Sequence, residues 1–571
     1  MRPFSWVVVI AIVLGGGGTV RADLFDDISI RGSEELVIQR GTESARGANP
    51  LITSQEYKEV LESRFYLSAG WKNWSAGLRF DVLEPYFYEY QFGDLADEPI
   101  SYTGIRKRYV EYEDGTNHVR VGSFSTLFGR GLALNLYQDP LINVDRELDG
   151  VLLERRGDRY SVTALAGRGA YLGFGDDLEE PDDVVGVYAT GRPTDGMELG
   201  VGYVDSWDGT APSAAWRNTK ALGTMAWDGA VSTFDLSLYA EMALNWADPP
   251  DPAEADEYGY PGTGIYAELQ GFHGPWSIRG EYKYYDLREG YYTNRSSGDG
   301  APWSEPPSLR PLHDLVTLNR KQILVNKSNR VGVAGELSYG FDSGAALTAN
   351  YVFTSKRLFY PSGDTTEVRW PTRSDETPAG QTPSEPFREI GLKSEVTFPR
   401  DWHTTVILNH AVDGTGLGKE EATLGLITEF ELNETEGLAF QFESQRINNH
   451  QFEKNYERFY DVLEIDGPVT PPPFWDMVWG ATYTRSPSLA IFVNYERSNE
   501  AEQWEKVSNV GLGDEPLEGS YFLFGVEFDI GSMTRIGLQG GSERGGVVCR
   551  GGTCRYIPPF KGVRTEFTRR F

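Results

Sequence analysis

Hydrophobic and polar residues alternate with a period of two in many segments of this chain, each about ten residues long. In one of them, Leu489, Ile491 and Val493 share one face, and Asn494 and Glu496 share the other. The same alternation recurs in the segments 236–244, 278–284, 331–339, 345–353, 438–443 and 522–529. A tilted strand needs about ten residues to cross a bilayer, so the pattern predicts transmembrane β-strands with one lipid-facing side.

The connections between these segments alternate between tight turns and long polar loops. Tight turns are predicted near 72–73, 114–115, 157–158, 194–195, 228–229, 274–275, 342–343, 400–401, 434–435, 486–487 and 531–532. Long loops are predicted at 85–103, 125–148, 168–183, 287–328, 356–386, 448–474 and 498–518. Outer-membrane barrels have short turns on the periplasmic side and longer loops outside, whereas an array of soluble β-sandwiches has no reason to sort its loops in this way.

These elements predict an all-β protein built as a single large antiparallel transmembrane β-barrel. The hairpins, with a weaker first strand near 28–39 and a last strand over 560–571, give about 24 strands, within a range of about 20 to 26. An even count puts both ends of the barrel on the periplasmic side. The mean hydropathy of −0.41 agrees with a barrel, because only alternate residues face lipid.

The first residues have the pattern of a secretory signal peptide. A charged start is followed by an apolar run over residues 4–14, and small residues predict cleavage after Ala22. We therefore predict a signal peptide over 1–22 and an outer-membrane barrel domain over 23–571, with a retained anchor as the alternative. Cleavage removes two arginines and takes the formal net charge from −31 to −33. Such a polyanion argues against nucleic acid as a partner.

The two cysteines of the chain, Cys549 and Cys554, bracket a Gly-Gly pair near its end. Export places them in an oxidising compartment, so the spacing predicts a disulfide that closes a small loop. A metal site is the alternative, which the lack of further thiols and of a nearby histidine disfavours.

The last ten residues, GVRTEFTRRF, resemble the C-terminal signature of outer-membrane barrels. Val563, Phe567 and Phe571 fit its alternation and are predicted to form a terminal assembly signal. Arg569 departs from it, because an apolar residue is usual there. The resemblance implies the barrel assembly machinery as a partner.

A wider resemblance is carried by the segments 65–85, 118–156 and 545–563. Its most specific marks are Phe128-Gly129-x-Gly131, Leu148-Asp149-Gly150 and the Cys549/Cys554 loop. By these marks the chain resembles an uncharacterised family of bacterial outer-membrane β-barrels, a domain of unknown function from Bacteroidetes-like genomes. The resemblance implies an outer-membrane location and no particular activity.

No catalytic motif is found along the chain. There is no His-Glu-x-x-His zinc motif, no Gly-x-Ser-x-Gly elbow and no phosphate loop or dinucleotide fingerprint. We expect no enzyme activity, with a barrel-borne hydrolase as the minor alternative, and no cofactor. The acidic stretches 176–183 and 248–257 could bind calcium weakly, but their spacing favours a solvated acidic surface.

Polar residues opposite the apolar faces are predicted to line the lumen. The charged ones are Arg79, Arg120, Glu241, Glu268, Glu336, Glu429, Glu431, Glu443, Glu496, Glu527 and Asp529. Arginine prevails early in this series and carboxylates late, so we expect a charge gradient around the wall. Charged walls select ions, although any wet lumen needs polar residues.

The loop 125–148 is too apolar for a solvated loop and is predicted to fold into the lumen. Loops 287–328 and 356–386 are long enough to cap the mouth. The leading interpretation is a porin-like channel that passes a polar solute across the outer membrane. The alternative is a non-conducting surface protein whose extracellular loops bind a ligand or partner. Outer-membrane lipid is the one other partner that we predict.

Overall fold

The alternating segments form long β-strands in the computed structural model of the chain. The structure describes residues 28–44, 55–86, 100–139, 144–169, 182–208, 217–248, 262–286, 303–304, 306–309, 313–320, 330–356, 387–398, 402–413, 419–448, 473–499, 519–544, 546–550, 553–557 and 560–571. The predicted signal peptide at 1–22 lies outside the described residues. So do the acidic residues 176–181 and 251–257 and nearly all of the loop 356–386.

The strands that form the barrel range from short to very long. They are β1 (Ile28–Ser44), β2 (Gln55–Trp71), β3 (Trp74–Tyr86), β4 (Ile100–Glu113), β5 (Asn117–Phe124), β10 (Leu148–Arg156), β11 (Tyr160–Gly169), β12 (Asp182–Thr194), β13 (Met197–Asp208), β14 (Arg217–Val231), β15 (Phe234–Asp248), β16 (Gly262–His273), β17 (Trp276–Asp286), β18 (Arg330–Gly340), β19 (Ala346–Lys356), β20 (Phe387–Phe398), β21 (Trp402–Asp413), β22 (Lys419–Asn433), β23 (Glu436–Asn448), β24 (Phe474–Arg485), β25 (Leu489–Ser498), β26 (Ser520–Ile530), β27 (Thr534–Glu543) and β30 (Phe560–Arg570).

These 24 strands form one closed antiparallel sheet. Each strand pairs with the barrel strand that follows it in the chain, and β30 pairs with β1 to close the sheet. Closure leaves no free sheet edge, so every strand has a partner on both sides. The predicted all-β barrel and its strand count are therefore confirmed.

A few short elements lie outside the barrel sheet. They are β6 (Leu127–Phe128), β7 (Leu134–Asn135), β8 (Gln138–Asp139), β9 (Val144–Asp145), β28 (Gly546–Arg550), β29 (Thr553–Ile557) and the helix α1 (Val316–Arg320). Among the described residues, no helix is both long enough and apolar enough to span a membrane.

Short connections lie at one end of the barrel, which we term the turn end, and the longer ones lie at the other, the loop end. The turn between β4 and β5 shows how the turn residues work. The Asp114 carboxylate accepts hydrogen bonds from the backbone N–H groups of Asn117, at 2.7 Å, and Thr116, at 3.0 Å. The bond from Asn117 is the main reason that the pKa of Asp114 is lowered to about 2.

One predicted turn is wrong. Asp228 and Gly229 lie inside β14, paired with Ser237 and Leu236 of β15. The turn comes later, where Ser232 adopts a φ of 59°. An Asp-Gly pair is a strong turn signal, but the ladder with β15 continues past it to Val231, and the hydrogen bonds of the ladder outweigh the local preference.

The two faces of the sheet differ in what covers them. One face exposes apolar side chains, among them Val201 at 69% and Ile530 at 61%. The other face contacts chain segments that lie inside the barrel. We term them the outer and inner faces, and the apolar outer face has the character of a surface in contact with lipid.

Aromatic side chains line the outer face at the turn end. Neighbouring rings are in contact at Trp74–Tyr112, 5.0 Å apart, Trp276–Tyr339, 4.5 Å, and Phe398–Trp402, 5.1 Å. Transmembrane barrels carry such girdles at the membrane interface. The girdle therefore marks one boundary of the apolar band.

The seam between β1 and β30 is completed by Phe571. Its backbone N–H and C=O bond to Gly32 at 2.9 and 2.8 Å. A Cβ on Gly32 would come within 2.3 Å of the Phe571 ring, so the ring lies directly over this glycine. Val563 is 58% exposed on the outer face, and Phe567 is half-buried on the same face. Their role as an assembly signal stays a prediction.

Candidate functional site in the barrel interior

The inner face is filled at the loop end and open at the turn end. In β22, which runs from the loop end, the inner residues Glu421, Thr423 and Gly425 are buried, whereas Glu429 and Glu431 near the turn are exposed. Strands β12, β14, β16, β20 and β24 show the same order of burial. The lumen therefore has a packed half and a wide vestibule at the turn end.

An apolar stretch within the connection from β5 to β10 fills much of the packed half. We term residues Leu127–Leu136 the inner segment. Phe128, Leu132 and Leu134 are completely buried. Phe128 stacks on Tyr188 of β12 with ring centres 5.2 Å apart. The segment belongs to one apolar cluster with inner-face residues from β10 to β21. Its apolar composition is explained by this burial.

Two glycines allow the inner segment to turn against the wall. Gly129 and Gly131 have φ values of 60° and 97°, in a region of backbone conformation that residues other than glycine rarely adopt. A Cβ on Gly129 would also lie 2.4 Å from Oε2 of Glu241. The Phe128-Gly129-x-Gly131 motif is therefore the point where backbone and wall carboxylate meet.

Glu241 on β15 attaches the inner segment to the wall. Its carboxylate accepts hydrogen bonds from the backbone N–H groups of Arg130 and Leu132, the latter at 3.0 Å. The Tyr239 hydroxyl donates a third, at 2.6 Å. Glu241 is only 1% exposed. A buried carboxylate needs such donors, so the contact fixes the position of the segment.

A set of ion pairs continues from this attachment along the inner face. Arg130 lies 3.6 Å from Glu268. Arg279 on β17 bonds to Glu268 at 2.9 Å and to Glu281 at 2.8 Å. The Tyr266 hydroxyl donates to Glu281 at 2.6 Å. The two arginines are each about half exposed, and they border the open part of the lumen.

A second inward stretch, residues 303–309 where described, packs beside the inner segment. The Trp303 indole N–H donates to Asp182 at 3.0 Å, and the side chain is 1% exposed. Its carbonyl accepts a bond of 2.8 Å from the Asn135 backbone N–H. The Tyr285 hydroxyl donates to the Pro307 carbonyl at 3.0 Å. The two stretches therefore brace each other.

The helix α1 is the third inward element. The Glu443 carboxylate accepts bonds from the backbone N–H groups of Val316, at 2.9 Å, and Thr317, at 2.8 Å. Leu315 and Leu318 pack on Ile407 of β21. The start of the helix is therefore tied to β23 as the inner segment is tied to β15.

All the predicted lumen residues lie on the inner face, and five of the eleven form ion pairs with described residues. Besides Glu268, the pairs are Arg79–Asp81 at 2.8 Å, Arg120–Glu111 at 3.1 Å, Glu496–Arg544 at 3.0 Å and Asp529–Arg535 at 2.8 Å. Glu336 lies opposite Arg279 in the β17–β18 register, and Glu527 lies opposite Gly537 in the β26–β27 register. The expected charge gradient is offset at these pairs, since Arg79 and Arg120 each meet a carboxylate and Glu496 and Asp529 each meet an arginine.

Glu429 and Glu431 differ from these paired residues. Both are exposed on the vestibule wall. Within the part of the chain that the structure describes, neither has a cation within ion-pair distance. Glu336 and Glu527 also form no ion pair with described residues but are half-buried, so Glu429 and Glu431 are the exposed members of this unpaired set.

Sequence reasoning missed the roles of Trp303 and Glu443. Trp303 lies beside a proline in a long polar loop, and such a large apolar side chain indicates that this part of the loop is buried. Glu443 shows no such signal, since it occupies an ordinary alternating position in β23.

Several solved structures are similar to this chain. The copper transporter OprC is 11% identical, with 95% of this chain and 80% of that one covered and a TM-score of 0.44. The outer membrane protein opdK from Pseudomonas aeruginosa is 11% identical, with 70% and 98% covered and a TM-score of 0.37. The siderophore receptor PirA from Pseudomonas aeruginosa is 9% identical, with 95% and 80% covered and a TM-score of 0.42.

A family model matches most of the chain by sequence. None of the curated proteins matches the chain. The model of a family described as "Family of unknown function (DUF6029)" matches residues 48–465 and 477–571.

Proposed function

The chain belongs to the DUF6029 family of unknown function, and from that premise we propose that its barrel is an integral outer-membrane channel for a polar solute. The apolar outer face and the aromatic girdle at the turn end support membrane insertion. The observation that carries the channel is the lumen itself. A vestibule with exposed polar residues on its wall opens at the turn end, and three inward elements occupy the packed half.

The inward elements explain how so wide a barrel can be selective. Barrels of about 16 to 18 strands already leave an aqueous channel. This barrel has 24 strands, so its lumen would pass most small solutes if it were empty. The elements are tied to the wall by Glu241 and Glu443, which makes the constriction a built part of the structure.

Membrane insertion is tested by fractionation. We expect the mature protein in the outer-membrane fraction, beginning after Ala22, with heat-modifiable migration in gels as folded barrels show. Recovery as a soluble periplasmic protein would contradict the proposal.

The vestibule carboxylates give the channel a testable preference. We expect the purified protein to conduct in planar bilayers and to favour cations, because Glu429 and Glu431 carry exposed charge inside a confined space. The double change Glu429→Gln/Glu431→Gln should lower the cation-to-anion permeability ratio by about two- to threefold, measured from reversal potentials across a salt gradient. The preference should fade as the Debye length shortens from about 30 Å at 0.01 M salt to about 3 Å at 1 M.

A matched control is offered by the outer face of the same hairpin. Glu420→Gln/Glu436→Gln removes the same charge from the lipid side of β22 and β23 and should leave the ratio unchanged. An equal effect of both double variants would show that total charge, not vestibule charge, sets the preference. Absence of conductance in every preparation would favour the non-conducting surface protein instead.

We also propose that Cys549 and Cys554 form a disulfide. They are directly opposite each other in the β28–β29 hairpin. Opposed residues of antiparallel strands have Cα atoms about 4.5 to 5.5 Å apart, which a disulfide can span. We expect both thiols to resist maleimide labelling of intact cells until a reductant is added. Ready labelling without reductant would rule the bond out.

A further inference from the structure

An apolar groove lies on the outer face where β22 to β25 run side by side. Its volume is about 360 Å³. Its walls include Phe440, Phe442, Trp479 and Tyr495, and its floor is formed at Gly480 and Ala481. Ala481 is the small outer-face residue here, opposite Phe440 and Val493 in the register, and Gly480 contributes only its backbone because its position faces the lumen. The groove thus lies where one small side chain is set among large ones.

The walls of the groove are held in place by ring contacts. Trp479 lies between Phe442 and Tyr495, with ring centres 5.8 and 5.5 Å away. Contacts at these separations are favourable, and they order the side chains before anything binds. A groove that is apolar and preformed suits an acyl chain.

Two arginines lie above the groove, toward the loop end of the same outer face. Arg446 is opposite Trp475, and Arg497 is opposite Met477, in the register of β23, β24 and β25. Both are exposed. The Arg446 guanidinium lies 5.9 Å from the centre of the Trp475 ring.

Three other outer-face arginines toward the loop end are neutralised by aspartates, whereas Arg388 on β20 forms no ion pair with a described residue. The pairs are Arg108–Asp149, Arg168–Asp183 and Arg217–Asp205. Arg446 and Arg497 have no such ion pair among the residues that the structure describes. The carboxylate nearest in register, Glu420, is engaged by His410 at 2.9 Å and Asn448 at 3.1 Å. The two arginines therefore leave positive charge available above an apolar groove.

The position of the two arginines along the barrel axis matches the expected level of the membrane surface. Leu438 lies opposite Phe430, which stacks on the girdle residue Trp402 with ring centres 5.1 Å apart, and Arg446 is eight residues further along β23. At about 3.4 Å per residue and a tilt of about 40°, this is about 21 Å along the barrel axis. The apolar band of a transmembrane barrel is about 25 Å tall. The arginines thus lie near the level of lipid headgroups in the loop-side leaflet.

We propose that the groove binds one acyl chain of a phosphate-bearing membrane lipid, whose phosphate is held by Arg446 and Arg497. Guanidinium groups match phosphate oxygens with paired hydrogen bonds, and the ring walls enclose the chain below. This site goes beyond the channel function and requires only that the barrel is inserted in a membrane.

The test is native mass spectrometry of the full barrel in a non-ionic detergent, titrated with dipalmitoyl phosphatidylglycerol or with dipalmitoylglycerol, which lacks the phosphate. Arg446→Gln/Arg497→Gln should weaken phosphatidylglycerol binding about tenfold and leave dipalmitoylglycerol binding unchanged. Ala481→Phe, which fills the floor, should weaken binding of both lipids about tenfold.

Two variants elsewhere on the outer face serve as controls. Arg388→Gln removes an exposed arginine that lies over Phe353, and Ala240→Phe adds a ring on β15. Neither should change lipid binding. Equal losses of lipid binding in the control and groove variants would show that lipid contacts the outer face without a specific site, and this would overturn the proposal. The proposal would also be overturned if inorganic phosphate displaced bound phosphatidylglycerol as effectively as added phosphatidylglycerol does. Heat-modifiable migration of each variant shows that it is folded, so failure of insertion is distinguishable from failure of the site.

Discussion

Replacing the inner segment, residues 127–136, by a short glycine–serine connection should raise single-channel conductance several-fold. The segment fills much of the packed half of the lumen, and the wall strands pair with one another rather than with it. Without it, the stretch 303–309 and α1 still occupy part of the lumen, but the open cross-section increases toward that of a barrel wider than the porins. Glu241→Ala should give a smaller rise, because it removes the acceptor for two backbone N–H groups but leaves the apolar contacts. Single-channel recording in planar bilayers measures both.

The control for this series is Glu336→Gln. It changes a carboxylate on the same inner face, and within the described residues that carboxylate has no hydrogen bond to the inner segment. Its conductance should equal that of the unchanged protein. If removal of the segment leaves conductance unaltered, the segment lies outside the permeation path, and the lumen has another purpose.

The second large effect is expected on stability. Arg79 and Asp81 on β3 form an ion pair of 2.8 Å, with side chains 4% and 1% exposed. Arg79→Ala leaves the Asp81 carboxylate buried without this partner, which should lower the free energy of unfolding by about 3 to 5 kcal/mol. The measurement is the urea midpoint for unfolding from lipid vesicles, followed by loss of heat-modifiable migration.

Two further variants separate charge burial from simple loss of a pair. Arg79→Met/Asp81→Leu removes both charges and should be close to neutral. Arg168→Ala breaks the pair with Asp183. The Arg168 side chain is 52% exposed, so the change should lower the free energy of unfolding by less than about 1 kcal/mol. Equal losses for Arg79→Ala and Arg168→Ala would show that burial is not the cause.

The barrel could be predicted because its signals are local. Alternation at Leu489, Ile491 and Val493 follows from one face meeting lipid, and tight turns need particular residues. The error at Asp228-Gly229 arose where a local turn preference competed with a ladder that continues for several more pairs. The first strand was predicted too short for a similar reason, since β1 continues to Ser44 through pairing with β2.

The interior could be predicted only in part. The inner segment stood out because leucines and a phenylalanine in a long connection need burial. The attachment of α1 to Glu443 could not be found, because the partners are 126 residues apart and neither position is unusual. The ion pairs of the wall depend on which side chains meet across neighbouring strands, and alternation assigns a face without assigning a partner.

The seam at Gly32 and Phe571 also determines the order of assembly. The pair joins residues from opposite ends of the barrel sequence, so the sheet remains open until β30 has been made. An open sheet has two rows of unpaired N–H and C=O groups, which hydrocarbon cannot solvate and which other chains can pair with. Hairpins of this protein therefore cannot enter the bilayer one by one as stable pieces. We expect a chain truncated within β30 to keep two unpaired edges and therefore to aggregate rather than to form a smaller barrel.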